Sequence, residues 1–319
     1  MTLLVHGIAW DGHASDGGSP ALRVQSPNGE RTAVPLGPAD VLGLQVHPGL
    51  WCLGHVKVHG PADSTHVPCP STARAERGRQ CGRCFARDDS RLIHDFHRGG
   101  NVPPGLREYL MQPHWLYIAT FAGGTTKVGT ASGPRKWNRL AEQGAVHASY
   151  VAHAEDGRVV RLLEDLVTSQ LGIVQQVRRA AKAASLLDPR PAVELSMINK
   201  QAAARVRELL ETVQLPGFTI VEEQWQRPAF ANAVCRGSTA EAPLFGAPRR
   251  HAYPQGFDGG GHGLLIESLS GAVALARLPD AGGGSVDGQF VADLGELKGR
   301  RIEFGPHTTE LPALQDALF

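Results

Sequence analysis

The chain has almost no charge excess, no long apolar run and no basic leader. Lys and Arg number 32 against 31 Asp and Glu, a formal net charge of +1 in 319 residues. A general phosphate binder usually carries a clear basic excess, so any basic surface here must be local. No span approaches the ~20 apolar residues that cross a bilayer, so no membrane partner is expected. Met1-Thr2-Leu3-Leu4-Val5-His6-Gly7 lacks a basic n-region and turns polar within a few residues. That argues against a secretory signal and makes the cytoplasm the expected compartment. Five cysteines in a cytosolic chain do not read as a disulfide framework; they predict a metal site or free thiols.

Glycine (38) and proline (22) are abundant, which favours loops and β-structure outside a few strong helices. Residues 1–50 read as a β-rich segment, with Ala21–Gln25 alternating as a half-buried strand does. Residues 51–100 hold the cysteines among Pro, Arg, Asp and His. They cannot build a core of their own and need a metal to order them. Residues 110–215 form an α/β unit, and 216–319 return to strand patterns as a β-rich C-terminal domain. The two terminal β-segments are expected to pack together. Residues 236–262 read as a flexible loop.

Within the α/β unit, an apolar run over 115–121 predicts a buried strand, paired by a hairpin to 125–130. Pro134 suits the first turn of a short helix that stops at Gly144, and Arg135, Arg139 and Gln143 share one of its faces. A long helix is expected over 158–186, its stripe formed by Val159, Leu162, Leu163, Leu166, Val167 and Leu171. Glu164 borders that stripe and Asp165 points away from it. Arg178, Arg179 and Lys182 form a basic patch on the same helix. A further helix spans about 196–213.

Cys52, Cys69, Cys81 and Cys84 lie close in sequence. Cys81-Gly82-Arg83-Cys84 is a Cys-x-x-Cys pair, whose tight turn lets two thiolates bind one tetrahedral ion. A redox pair would need a strand before it and a clean helix after it, and neither is evident. The expected site is therefore a closed, structural zinc held by all four cysteines, with His66 or His55 as an alternative ligand in place of Cys52. Cys235 stands apart as a buried or incidental thiol.

Tyr117, Lys127, Arg139 and Glu164 string a phenol, an ammonium, a guanidinium and a carboxylate along one compact unit. Phosphodiester hydrolysis needs a deprotonated water, neutralised phosphoryl charge and help for the leaving oxygen. A carboxylate such as Glu164 can hold Mg²⁺ or Mn²⁺, Arg139 can fork onto phosphoryl oxygens, and Tyr117 can relay a proton beside Lys127. Side chains alternate along strands, so Tyr117 and Lys127 share a face only if Phe121 pairs with Thr125 across a three-residue loop. Singly, each residue has an ordinary explanation: a core tyrosine, solvated arginines, and an acid paired with Arg158 or Arg161.

The order Leu116-Tyr117, Lys127-Val128-Gly129, Arg139, Glu164 resembles the GIY-YIG nuclease superfamily over about residues 115–185. In that family two motif strands lie side by side, an arginine follows on a helix, and a glutamate on the next helix binds one divalent metal. The resemblance implies that Tyr117 matches the first-motif tyrosine, Gly129 the second-motif glycine, Arg139 the arginine and Glu164 the metal ligand. Lys127 replaces the second tyrosine, and Gln143 stands where a histidine is common. The cysteine cluster followed by Lys-Val-Gly and Arg-Leu-x-x-Gln-Gly-Ala also resembles an uncharacterised bacterial family of the same layout. The expected fold is α+β, with a GIY-YIG-like core over 110–215. The expected activity is metal-dependent hydrolysis of DNA or RNA. The alternatives are a non-catalytic zinc protein that binds nucleic acid or protein, and a fold turned to small-molecule chemistry.

Overall fold

The structure, a computed structural model, describes residues 1–12, 18–38, 41–93, 96, 99–235, 250–279 and 288–310. It is a mixed α+β fold. The chain opens with β1 (Leu3–Asp11), β2 (Ser19–Gln25), β3 (Arg31–Pro35) and β4 (Val41–His47). The cysteine-bearing stretch follows with β5 (His55–Val58), β6 (Ser64–Val67) and α1 (Gly82–Arg87), then α2 (Pro104–Leu110). The middle of the chain carries β7 (His114–Thr120), β8 (Thr126–Ser132), α3 (Lys136–Gln143), β9 (His147–Ala154), α4 (Gly157–Leu171), α5 (Arg179–Ser185), α6 (Ala192–Glu211) and β10 (Phe218–Gln224). It ends with β11 (Arg250–Ala252), β12 (Gly260–Ser270), β13 (Val273–Arg277), β14 (Gln289–Asp293) and β15 (Arg301–Phe304).

The two ends of the chain share one nine-stranded sheet, in the order β11-β14-β13-β12-β4-β15-β1-β2-β3. Strand β15 is inserted between β1 and β4, antiparallel to both, which zips the C-terminal strands to the N-terminal ones. A second, four-stranded sheet has the order β10-β9-β7-β8. Strand β10, which follows the boundary placed at 216, pairs antiparallel with β9 in this sheet and not with the terminal strands.

Strand periodicity places the four-stranded sheet between two layers. Tyr117, Ala119, Phe121 and Tyr150 face α3 and the large sheet, in a core with Trp10, Leu22, Leu44, Trp137 and Leu140. Leu116, Ile118 and Val128 face the other way, onto Val160, Leu163 and Val167 of α4 and Val206 and Leu210 of α6. Asn199 of α6 is buried between these layers. Its Oδ1 accepts from Ser149 Oγ at 2.7 Å, and its Nδ2 donates to Ile118 O and Thr120 Oγ1, each at 3.1 Å. Asn199→Leu strips the partner from those buried groups and is expected to cost about 2 kcal/mol. Urea denaturation checks this, and an unshifted midpoint would contradict it.

The helix expected over 158–186 is broken. Helix α4 ends at Leu171 and is capped by Gly172 in the left-handed region, φ +68°. The β-branched pair Ile173-Val174 then runs along the edge of β8, where Val128 N–H donates to Val174 O at 3.0 Å. The chain gains a sheet hydrogen bond there instead of another helical turn. The basic patch expected on one long helix is accordingly dispersed. Arg178 precedes α5, and Arg179 pairs with Asp293 at 2.7 Å. Leu162, expected in the apolar stripe, is 47% exposed, and Val160 fills the buried face instead. Asp156 caps α4 by accepting from Arg158 N and Val159 N. In the stretch 236–262, residues 236–249 lie outside the described residues, whereas 250–252 and 260–262 are strand.

Candidate active site and metal centre

The sulfurs of Cys52, Cys69, Cys81 and Cys84 lie within 4.8 Å of one another, and all four residues are buried. A tetrahedral zinc with bonds of about 2.3 Å needs sulfurs about 3.8 Å apart. Cys69 Sγ and Cys81 Sγ are 3.9 Å apart. Gly54 N–H donates to Cys52 Sγ at 3.4 Å. Burial alone would raise the Cys69 thiol, but the backbone at Ala73 and the Ser71 hydroxyl hold it down to about 6. Burial pushes Cys52 and Cys84 up, so those two thiolates are favoured only beside a cation. Hydrocarbon contributes little here, since the cysteines cluster with Ala73 alone. The set fits, and could hold, a metal ion such as zinc. His66 is not part of it; its Nε2 bonds Leu53 O. His55 is also outside the cluster, lining a neighbouring cleft with Nδ1 buried and unpaired.

The β7–β8 hairpin adopts the register that sets Tyr117 and Lys127 on one face. Phe121 N–H donates to Thr125 O at 3.0 Å, Ala119 lies opposite Lys127, and Tyr117 lies opposite Gly129. The phenol crosses β8 directly above Gly129, where an added Cβ would stand 2.5 Å from Tyr117 Oη. Only glycine leaves that path open.

At the far side of β8 the phenol meets α3 and α4. Gln143 Nε2 donates to Tyr117 Oη at 2.9 Å, and the Arg139 guanidinium stands beside it. The other amide atom, Gln143 Oε1, is buried without a partner. Lys127 Nζ lies 5.7 Å from the centre of the Tyr117 ring. Lys182 Nζ donates to Gln143 O at 2.8 Å and sits over the Phe121 ring. Glu164, 3% exposed, is ion-paired with Arg161 one helical turn earlier.

Charge inside this cluster is unbalanced. Arg161 and Lys127 act on the Glu164 carboxylate, Arg139 and Lys182 stand against Lys127, and Glu142 faces Arg139. Burial, then the Arg139 charge, lowers Lys127 to about 8; Glu164 opposes the shift. Burial also lowers Lys182 to about 8, with Lys127 and Arg139 adding to it. Burial raises Glu164 against the pull of Arg161, and raises the Tyr117 phenol against Arg139 and Gln143. Four cations against the carboxylates of Glu164 and Glu142 suit an anion. A lone carboxylate already engaged by Arg161 does not suit a resident divalent ion, so the expected Mg²⁺ or Mn²⁺ finds no built site here.

A cleft of about 350 Å³ opens beside the cluster. Arg135, Arg139 and Arg161 line it, with Tyr109, His114, Thr130 and Ser132. Tyr117, Lys127 and Glu164 lie behind this wall, not on it, and Tyr117 is 0% exposed. Arg161 and Lys182 join the expected four residues here. Arg161 was legible from its i, i+3 spacing to Glu164. Lys182 was not, because its approach depends on the helix break at Gly172.

No curated protein and no solved structure matches the chain. Residues 77–214 match the model of a family described as "Protein of unknown function (DUF2797)". The matched range holds Cys81, Cys84, Tyr117, Lys127, Arg139 and Glu164, and it is this segment that is similar to that family.

Proposed function

We propose that the protein is a nuclease-like enzyme that binds a nucleic-acid strand in the arginine-lined cleft and hydrolyses its phosphodiester. One observation carries the reading: a phenol, a carboxylate and two lysines gather at one edge of β8, directly behind Arg139 and Arg161. The strand order β8-β7-β9, with α3 and α4 supplying Arg139 and Glu164, further supports a GIY-YIG-like core. In this reading Arg139 and Arg161 bind phosphoryl oxygens as planar forks. Lys127 and Lys182 neutralise the charge that develops on them. Water attacks the phosphorus as the bond to the ester oxygen breaks; the Tyr117 phenol, kept protonated by burial, passes its proton to the leaving oxygen and regains one from the attacking water. Glu164 orients Arg161. No step is assigned to a divalent ion. The four-cysteine centre is proposed to hold a structural zinc.

A second reading has its own support. Tyr117 and Glu164 are both buried and Glu164 is already paired, which suits a protein that grips phosphates without cutting them. End-labelled DNA and RNA oligonucleotides, incubated with Mg²⁺, with Mn²⁺ and with chelator, separate the two. Hydrolysis yields shortened products. Retained binding without product supports the second reading, and no binding of either polymer at low salt contradicts both.

The lysines add a pH signature. Their charged forms attract the anion, so phosphate affinity holds below about pH 8 and declines as pH rises above it. The stability term runs the other way. An unfolded lysine keeps its proton to 10.5, so the cost of burying the charge is present below about 8 and is relieved between 8 and 10.5. Fluorescence titration of a labelled oligonucleotide from pH 6 to 9.5 reads the first effect. A flat profile would remove both lysines from the site.

A further inference from the structure

A second cleft, of about 580 Å³, lies between β1 of the large sheet, the cysteine-bearing segment and α3. Ser90 and Arg135 line both this cleft and the arginine-lined one, so the two share a wall. Its cations fall into two groups. Arg23 is held by Asp11 through two contacts of 2.6 and 2.8 Å, and Arg135 is held by Glu142. Arg31, Arg79 and Lys298 also line it and form no ion pair among the described residues. Arg31 faces Arg23, and Lys298 stands near Arg79 and Arg179, each raising the cost of the other's charge. Two buried donor or acceptor atoms there, His55 Nδ1 and Arg23 Nε, have no partner. His55 is only 6% exposed. Asp11, Asp88 and Glu142 also line the groove, and Glu142 eases the charge on Lys298, but five cations outnumber these three acids, at an electrostatic cost that a bound anion would reduce.

We propose that this groove carries the phosphate backbone of the same strand whose phosphodiester reaches Arg139, with Arg31, Arg79 and Lys298 as its phosphate contacts. The proposal rests on the nucleic-acid reading above, but not on cleavage. A strand is favoured over a free phosphate because the cationic lining continues from one cleft into the next through Arg135. The cysteine-bearing segment forms one bank of the groove through Leu53, His55 and Arg79, which gives its metal centre a place in substrate binding without chemistry.

The test uses full-length Tyr117→Phe protein, which is expected to lose turnover with phosphate binding nearly unchanged, so that binding is read without cleavage. Affinity is measured for a 12-nucleotide single strand, a dinucleotide and inorganic phosphate, over a range of salt. The 12-mer is expected to bind at least tenfold more tightly than the dinucleotide. Adding Arg31→Gln, Arg79→Gln and Lys298→Gln is expected to weaken the 12-mer at least tenfold at 0.1 M salt. The slope of log affinity against log salt is then expected to fall by about 2, at ~0.7 per lost single-strand contact. Dinucleotide affinity is expected to stay unchanged. Arg31 and Lys298 are exposed and Arg79 is half-buried, so the triple variant keeps its fold, and thermal melting verifies this. A 12-mer bound no better than the dinucleotide, or equally well by the triple variant, overturns the proposal. Preferential capture of an acidic peptide over the 12-mer overturns it as well. If the wild type never cleaves but the triple variant still loses the 12-mer, the groove stands and hydrolysis falls. If it cleaves and the triple variant binds normally, the groove falls and hydrolysis stands.

Discussion

Cys84→Ser is expected to abolish stoichiometric zinc binding and to unfold the segment around residues 51–92. The effect should be large because little else holds this stretch. Its sheet is a single hairpin, β5–β6, which is marginal in water on its own. Structural zinc supplies apparent binding energies of about 10–16 kcal/mol in zinc-finger peptides, and here much of that would appear as folding energy. The remaining ties are a small apolar contact of Val58 and Leu92 with Phe96, Leu106 and Leu110, and a few polar or cationic contacts. Val58 N–H and Lys57 Nζ bond Asp89, and Trp51 N–H donates to Gly299 O at 2.7 Å. Arg301 lies 3.4 Å over the Trp51 ring. These would keep the unfolded segment tethered to the large sheet. Metal content by mass spectrometry and limited proteolysis check the result. A protein that binds no zinc, or whose cleavage pattern is unchanged by a strong chelator, would remove the metal centre.

Glu164→Gln and Tyr117→Phe should each lower phosphodiester cleavage by 10²–10⁴-fold, through different routes. The first keeps size and shape but removes the charge that pairs with Arg161 and faces Lys127, so Arg161 loses its anchor. Its loss should appear in both kcat and KM, because phosphate binding changes along with turnover. The second removes the hydroxyl to which Gln143 donates and leaves the ring packed above Gly129. Its loss should fall on kcat with KM nearly unchanged, the behaviour of a group acting in the transition state. The magnitude follows from what one positioned proton donor or one preorganised charge contributes. Single-turnover assays on a labelled oligonucleotide measure both. Wild-type rates in either variant would place the chemistry elsewhere in the molecule.

Local signals in the sequence carried the hairpin and the cysteines well. Alternation set which residues of β7 face together but left two registers open against β8; the structure takes the one with Phe121 opposite Thr125. Four cysteines in a stretch without a core pointed to one cluster, and the thiols do converge. Strand β9 went unseen, although Ser149-Tyr150-Val151 has strand composition; it is buried between β7 and β10, so its pairing partners lie far off in sequence. The break at Gly172 was hidden because Leu171-Gly172-Ile173-Val174 extends an apolar period; only pairing with the edge of β8 makes the break favourable. Asn199 reads as a surface residue of a helix until three buried partners are in place around it. The groove cations are spread from Arg31 to Lys298 and meet only when β15 closes the large sheet. Long-range closure of that kind leaves no local trace, and a net charge of +1 conceals it.

A crystal structure of the wild-type protein with a phosphorothioate oligonucleotide is the most direct examination of the site. A phosphate bridging the Arg139 and Arg161 guanidinium groups, with the Tyr117 hydroxyl turned toward it, is the expected result. Nucleic acid bound on another face, with the arginine cleft left empty, would contradict it.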